Sequence, residues 1–190
     1  LSSLSFDLSV FDVFGVLGAG GTLVLPERGT SRDPGRWWEL IEAHGVTVWN
    51  SVPALMAMLV EHASARPDGA RCGLRTVLMS GDWIPVDLPD RIHRICRAGV
   101  EVISLGGATE AAVWSIHHRI DAVDPSWESV PYGLPLRNQR FHVLDERGLE
   151  CPIGVTGELV IAGEGVALGY WNDPERTAAS FETDPATGAR

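Results

Sequence analysis

Val46-Thr47-Val48-Trp49-Asn50, then Ser51-Val52-Pro53, then Ala54-Leu55-Met56-Ala57-Met58-Leu59-Val60-Glu61-His62 is the stretch that decides the fold. The first five residues are β-branched or aromatic in the main and read as a strand. Pro53 has no N–H to lose and a φ already set for a first helical turn, so it can open a helix over 54–62. The cycle then repeats: a strand over 75–80, a helix over 89–98 stopped by Gly99, and a strand over 100–105. Strands that alternate with helices of about ten residues predict parallel pairing with right-handed crossovers.

Upstream the pattern is α/β as well. A helix over 36–44 stops at Gly45, and Thr22-Leu23-Val24-Leu25 reads as a short buried strand ended by Pro26. Val10, Val13, Phe14 and Leu17 fall at i, i+3, i+4 and i+7, one face of a helix with Ser9 as its cap and Gly18 as its stop. The texture changes near Pro125. Segments 140–144 and 158–161 are strands separated by glycine and proline, and Glu146-Arg147-Gly148 is a turn. Residues 1–125 are therefore expected to form an α/β part, and 126–190 a β-rich part with antiparallel strands over 126–170.

The chain has 190 residues, 45% of them hydrophobic, which excludes disorder. Fifteen basic against 25 acidic side chains leave a net charge of −10, unsuited to nucleic acid. Every basic residue is Arg, so no lysine chemistry arises within this stretch. No apolar run approaches the roughly 20 residues that a membrane helix needs, and no membrane partner is expected. Cys72, Cys96 and Cys151 are odd in number and lack C-x-x-C spacing, which suggests neither zinc nor a disulfide framework but reduced thiols in a cytoplasmic protein. His117 and His118 point to opposite faces if they lie in a strand and do not easily share a metal. A start at Leu1 rather than Met, and an end at Arg190 with no element closing, are read as those of a piece of a longer protein.

In parallel α/β sheets, ligands bind beyond the carboxyl ends of the strands. Three such ends carry small or polar residues: Asn50-Ser51, Ser80-Gly81 and Ser104-Leu105-Gly106-Gly107. The last runs into Ala108-Thr109-Glu110, an open loop with a hydroxyl and a carboxylate. Such a loop can approach a phosphate with its backbone and hold Mg²⁺ with its acid; the plainer reading is a Gly-rich turn with Thr109 as a helix cap. Residues 157–171 bracket one strand with glycines but carry no dinucleotide or lysine-bearing phosphate motif, and read as strand-and-turn scaffolding. Asp7 and Asp12 are the only charges in the first 26 residues. The first is a candidate counter-charge for a ligand cation or a dipole-stabilised residue near a helix start.

Together these segments resemble the adenylation domain of nonribosomal peptide synthetases, within the adenylate-forming enzyme superfamily. Ser5-Phe6-Asp7-Leu8-Ser9 is similar to the segment that carries the substrate-amine aspartate. Gly106-Gly107-Ala108-Thr109-Glu110 is similar to the Tyr-Gly-Pro-Thr-Glu loop, with Gly106 where the family has an adenine-stacking aromatic residue and Ala108 where it has proline. Residues 157–171 with Asn172-Asp173-Pro174-Glu175-Arg176-Thr177 are similar to its Gly-Glu-Leu strand and Gly-Tyr-Trp segment. The likeness covers the whole chain in the right order.

The resemblance implies the parallel α/β layers of the large N-terminal core of adenylate-forming enzymes, followed by a distorted-barrel β subdomain. It implies an ATP-dependent ligase: an amino-acid carboxylate attacks the α-phosphate of ATP, pyrophosphate leaves, and the aminoacyl group passes to phosphopantetheine on a partner carrier domain. Glu110 would hold Mg²⁺ and Thr109 would hydrogen-bond the phosphate, with Ser104, Gly106, Gly107 and Ala108 around the nucleotide. The substrate pocket maps to Asp7, Leu8, Phe11, Asn50, Leu78, Ser80, Leu105, Val113 and Trp114, Asp7 pairing with the substrate ammonium. This set is similar to cysteine-activating, thiazoline-type domains, so L-cysteine is the expected substrate and a condensation or cyclisation domain an expected neighbour. The phosphate loop is expected before Leu1, and the ribose aspartate and catalytic lysine beyond Arg190, which would leave the 190-residue piece inactive alone. An acyl- or aryl-CoA ligase of the same superfamily and a non-catalytic scaffolding remnant are the competing readings.

Overall fold

A computed structural model describes residues 1–67, 69 and 71–182. The expected β-rich part, 126–190, includes residues 183–190, which lie outside the described residues. The chain divides into two units, one of Leu1–Leu105 with His118–Gly133, the other of Gly106–His117 with the chain from Leu134 onward.

The first unit is built on the repeating strand–helix cycle. Strands β1 (Val48–Ser51), β2 (Thr76–Met79) and β3 (Glu101–Gly106, the last residue passing into the second unit) run parallel. Val48 pairs with Thr76 and Thr76 with Glu101, and the register continues through Ser51↔Met79 and Met79↔Ser104. Both faces of these strands are covered, which is why they read as continuous apolar runs rather than alternating ones.

Several helix ends in this unit have an identifiable cause. Helix α3 (Pro34–His44) starts with Pro34 in its first turn and the Asp33 carboxylate accepting from Arg36 N–H at 3.1 Å; it ends at Gly45, which takes the left-handed conformation at φ 59°. Helix α4 (Pro53–Ser64) opens on Pro53 as expected. Helix α5 (Leu88–Ile95) is three residues shorter at its carboxyl end than the sequence suggests. Cys96 leaves the helix in extended conformation and bridges to Cys72, with Cys72 N–H donating to Ile95 O at 2.9 Å and Arg97 N–H to Cys72 O at 3.2 Å. These contacts outweigh one more helical turn.

Helix α3 packs on α4 and α4 on α5. Trp37, Trp38, Met56, Leu59, Val60, Val77, Met79, Ile92 and Val102 form the core, with the rings of Trp37 and Trp49 edge to face at 5.8 Å. Ile120 and Val130, from the returning segment, join it; their N–H groups donate to Val102 O and Ile84 O.

The start of the chain departs from expectation. Residues 8–18 are helical, but α1 (Leu8–Val10) and α2 (Val16–Gly18) flank a π turn, Phe11–Gly15. Leu8 and Ser9 are buried while Val10, Phe14 and Leu17 are exposed, so the expected apolar face is not the buried one. Ser9 therefore sits inside the helix and does not cap it; the cap position is Asp7, without a side-chain bond. Thr22–Leu25 forms no ladder either: no strand among the described residues lies beside it, and Leu25 is 71% exposed.

In the second unit, β4 (Ile116–Arg119) begins with Ile116 and His117 paired antiparallel to β5 (Leu134–Pro135). Strands β6 (Gln139–Leu144) and β7 (Glu158–Gly163) form an antiparallel pair in unbroken register from Gln139↔Gly163 to Leu144↔Glu158. A helix that the sequence reading omitted, α6 (Pro174–Ser180), follows. Asp173 accepts from Arg176 N–H at 3.0 Å and Pro174 occupies the first turn. Asp-Pro-Glu was its sequence signal, obscured by its brevity.

Candidate functional site

The strand ends place the expected pocket residues by parity. Asn50 and Leu78 are register partners, and so are Leu78 and Ile103. Ser80 and Leu105 lie two residues beyond Leu78 and Ile103, so Asn50, Leu78, Ser80 and Leu105 share one face of the sheet. All four are buried. Ser104 is one residue out of phase and shares the opposite face with Ser51 and Met79, where Ser51 Oγ accepts from the Trp49 indole at 2.7 Å.

The helical segment at the start of the chain lies on the Asn50 side. Asn50 Nδ2 donates to Asp12 Oδ1 at 2.8 Å. Asp12 Oδ1 accepts this bond, so the amide nitrogen faces Asp12 and the amide oxygen faces away. That amide oxygen is buried with no hydrogen-bond partner among the described residues. Just upstream, a Cβ on Gly81 would lie 3.7 Å from the Phe6 ring, which brings the Phe6-Asp7 turn to the end of β2. Leu8 is buried, and Asp7 and Phe11 are half-buried. Asp12 was seen in the sequence only as a charge in an apolar stretch; its bond to Asn50 spans 38 residues and has no local signal.

The second unit holds Gly106, Gly107, Ala108, Thr109, Glu110, Val113 and Trp114 on one tight loop. Ser115 N–H donates to Gly106 O at 2.8 Å, and Ala111 and Val113 N–H both donate to Ala108 O. A Cβ on Gly107 would sit 2.6 Å from Val113 O and 2.8 Å from Ser115 N, so only glycine fits there. Thr109 begins a 3-10 turn, Thr109–Ala111, and does not cap it; Ala108 holds the cap position without a side-chain bond. Ala112 and Val113 take φ 60° and 72°. A β-branched residue in the left-handed region is strained, and such strain concentrates at ligand-binding loops.

Glu110 is held twice by the segment read as scaffolding. Ala167 N–H donates to Glu110 O at 2.7 Å, and the Tyr170 phenol donates to Glu110 Oε1. The phenol, Glu110's own backbone N–H and the nearby Arg176 hold its carboxyl below the ordinary range. Glu110 is thus an ionised hard-oxygen donor, which fits Mg²⁺: that ion characteristically takes one or two carboxylates and fills its shell with water and substrate phosphates. Among the described residues no cluster of three or more His, Cys, Asp or Glu is arranged to hold a metal. A cavity of about 670 Å³ in this unit is lined by residues including Asn138, Gln139, Glu164 and Ala167, not by Thr109 or Glu110. Its one carboxylate, Glu164, accepts from Asn138 Nδ2 at 3.0 Å, and the lining carries no hydroxyl.

Cys72 and Cys96 lie in the first unit with Sγ atoms 3.3 Å apart, both buried and free. The thiol hydrogen bond between them pulls Cys72 down to about 7 and pushes Cys96 up. Among the described residues no helix is long and apolar enough to cross a membrane.

Comparison with known proteins gives consistent matches. Residues 1–171 match the family model described as AMP-binding enzyme. The chain is 49% identical over 181 residues to the anguibactin system regulator of Vibrio anguillarum, covering 95% of this chain and 17% of that protein. It is 50% identical over 185 residues to pyochelin synthetase PchF of Pseudomonas aeruginosa, covering 97% of this chain and 10% of that protein. Two crystal structures of the nonribosomal peptide synthetase FmoA3 superpose along the whole chain at 49% identity. The AMPPNP-bound form gives a TM-score of 0.94 over 20% of that protein's chain, and the α-methyl-L-serine-AMP-bound form 0.92 over 21%. The chain spans less than a fifth of the length of these curated relatives.

Proposed function

The chain belongs to the AMP-binding enzyme family, and from that premise we propose that it is part of an adenylation domain of a nonribosomal peptide synthetase, where it activates a small amino acid with L-cysteine favoured. The observation that carries the reading is the shared sheet face of Asn50, Leu78, Ser80 and Leu105, buried at the carboxyl ends of parallel strands beside the segment bearing Asp7 and Asp12. The same placement is used for ligands throughout α/β proteins. Support comes also from FmoA3, bound in its crystal structures to an ATP analogue and to an aminoacyl adenylate.

In this reading the substrate carboxylate attacks the α-phosphorus of ATP, the bond to the bridging oxygen breaks, and pyrophosphate departs with the electron pair. Asp7 pairs with the substrate ammonium, which sets the direction of the carboxylate. Leu8, Phe11, Leu78, Leu105, Val113 and Trp114 are the apolar walls, and Asn50 and Ser80 the polar groups. Thr109 binds a phosphate oxygen, and Ser104, Gly106, Gly107 and Ala108 border the nucleotide. Glu110 holds Mg²⁺, which when bound offsets charge on the phosphates. Catalysis of this kind is mainly positioning and charge neutralisation. The phosphopantetheine thiol of a carrier domain then attacks the acyl carbon, a thioester forms, and AMP leaves with the electron pair of the broken C–O bond, in the cytoplasm.

The side chain of the α-methyl-L-serine adenylate on FmoA3 favours a second reading within the same pocket, a hydroxylated amino acid. ATP–pyrophosphate exchange by the full-length protein separates the two: cysteine should exceed serine, α-methylserine, threonine and valine. Serine or α-methylserine ahead of cysteine would move the assignment to the hydroxyl. Exchange driven only by carboxylates without an α-amine would move it to the CoA-ligase branch, and no exchange with any acid would favour a scaffolding role.

A further inference from the structure

Tyr170 sits where four separate contacts converge. Its backbone N–H donates to Thr177 Oγ1 at 2.9 Å, and that hydroxyl donates to Asp173 O at 2.7 Å. Gly169 makes this approach feasible, because a Cβ there would lie 2.5 Å from Thr177 Cγ2. The start of α6 is thereby tied to the Tyr170 backbone. The Arg176 guanidinium lies over the phenol ring, 4.2 Å from its centroid, and the Phe181 ring meets it edge to face at 5.5 Å. The ring is gripped on its face by a cation and at its side by an aromatic. A phenylalanine would satisfy both grips. What the tyrosine adds is its hydroxyl, and that hydroxyl is spent on Glu110 Oε1.

The same segment holds the main chain of Glu110 through Ala167 N–H. Glu110 is therefore fixed at its carbonyl and at its carboxylate by one stretch of chain. A carboxylate on a mobile loop loses rotamer freedom when it meets a cation, and one already fixed does not. We propose that Tyr170 is a positioning residue, whose phenol holds the Glu110 carboxylate in the orientation that receives the nucleotide's divalent cation, with Arg176 and Phe181 holding the phenol. This rests on the reading of Glu110 as the metal-binding carboxylate.

The test uses the full-length protein and its Tyr170→Phe and Glu110→Gln variants. Binding of Mn²⁺ in the presence of AMPPNP is followed by the loss of the free-ion electron paramagnetic resonance signal, and exchange is assayed against Mg²⁺ concentration. A hydrogen bond to a charged group predicts that Tyr170→Phe needs roughly tenfold more metal in both measurements. Its rate at saturating metal and its melting temperature in metal-free buffer should stay near those of the parent protein. Arg176→Met keeps the phenol but removes its cation, and should shift the metal requirement the same way by a smaller factor. Metal binding unchanged in Tyr170→Phe and Arg176→Met, with Glu110→Gln weakened, would overturn the positioning role while leaving Glu110 as the ligand. Metal binding unchanged in Glu110→Gln would overturn the metal reading itself, and the positioning role with it.

Discussion

Asn50 on β1 donates its amide N–H to Asp12 in the π turn across 2.8 Å, a bond that ties the first helical segment to the sheet and fixes which way the amide points. Asp12→Ala leaves a buried amide donor unpaired, which costs about 1–3 kcal/mol. Asp12→Asn restores an acceptor and should recover most of that loss. Urea denaturation of the two variants should show this order, and exchange assays should show a raised KM for the amino acid in Asp12→Ala, as the amide is then free to flip.

The Gly107 position admits no side chain. A methyl group there meets Val113 O at 2.6 Å, and relief requires the loop that carries Thr109 and Glu110 to move. Displacements of about an ångström at a reacting centre cost about a hundredfold in rate. Gly107→Ala in the full-length protein should lose about that much exchange activity while its circular dichroism spectrum is retained.

Leu59 on α4 is fully buried in the first unit's core. Leu59→Ala should destabilise by about 2–5 kcal/mol through lost burial and a residual cavity. Met58, the preceding residue about 100° round the same helix, is the contrast: it is 37% exposed, and Met58→Ala should fall well below that range in the same denaturation experiment.

The Asp145 turn carries a pH dependence with a defined sign. Leu149 N–H and Arg147 N–H each donate to Asp145 Oδ1 at 2.9 Å and hold its carboxyl below the ordinary range. A carboxyl depressed in the folded state adds stability above its unfolded value, near 3.9, and that stability disappears as pH falls through the folded value. An NMR titration of the Asp145 carboxyl should give a midpoint below the model-peptide value, and Asp145→Asn should remove that part of the acid dependence. A midpoint at or above the model-peptide value would contradict these bonds.

Local rules carried much of the fold because they act within a few residues. Pro53 and Gly45 mark helix ends through φ alone, and the apolar content of 76–79 and 101–105 marks buried strands whatever they pair with. The same rules failed where a distant partner decided the outcome. Thr22–Leu25 has strand composition but no neighbouring strand to pair with among the described residues. The π turn at Phe11–Gly15 interrupts the 3.6-residue period, and Val10, Phe14 and Leu17 are exposed, neither of which an i, i+3, i+4 count detects. Cysteine spacing gave no sign that Cys72 and Cys96 meet, since the bridge between them closes over 24 residues.

For the candidate site the division is similar. The sequence alone determined the alternation of strands and helices, the glycine and carboxylate of the 106–110 loop, and the order of segments that marks the family, all of them properties of residue type and short spacing. Only the tertiary structure decided that Asn50, Leu78, Ser80 and Leu105 share a face while Ser104 does not, because register between strands depends on their pairing. It also decided that Asp12 orients Asn50 and that Tyr170 grips Glu110 across 60 residues. Directional hydrogen bonds between distant segments form only when the packing of each unit has brought donor and acceptor within about 3 Å, and no periodicity in the chain encodes that distance.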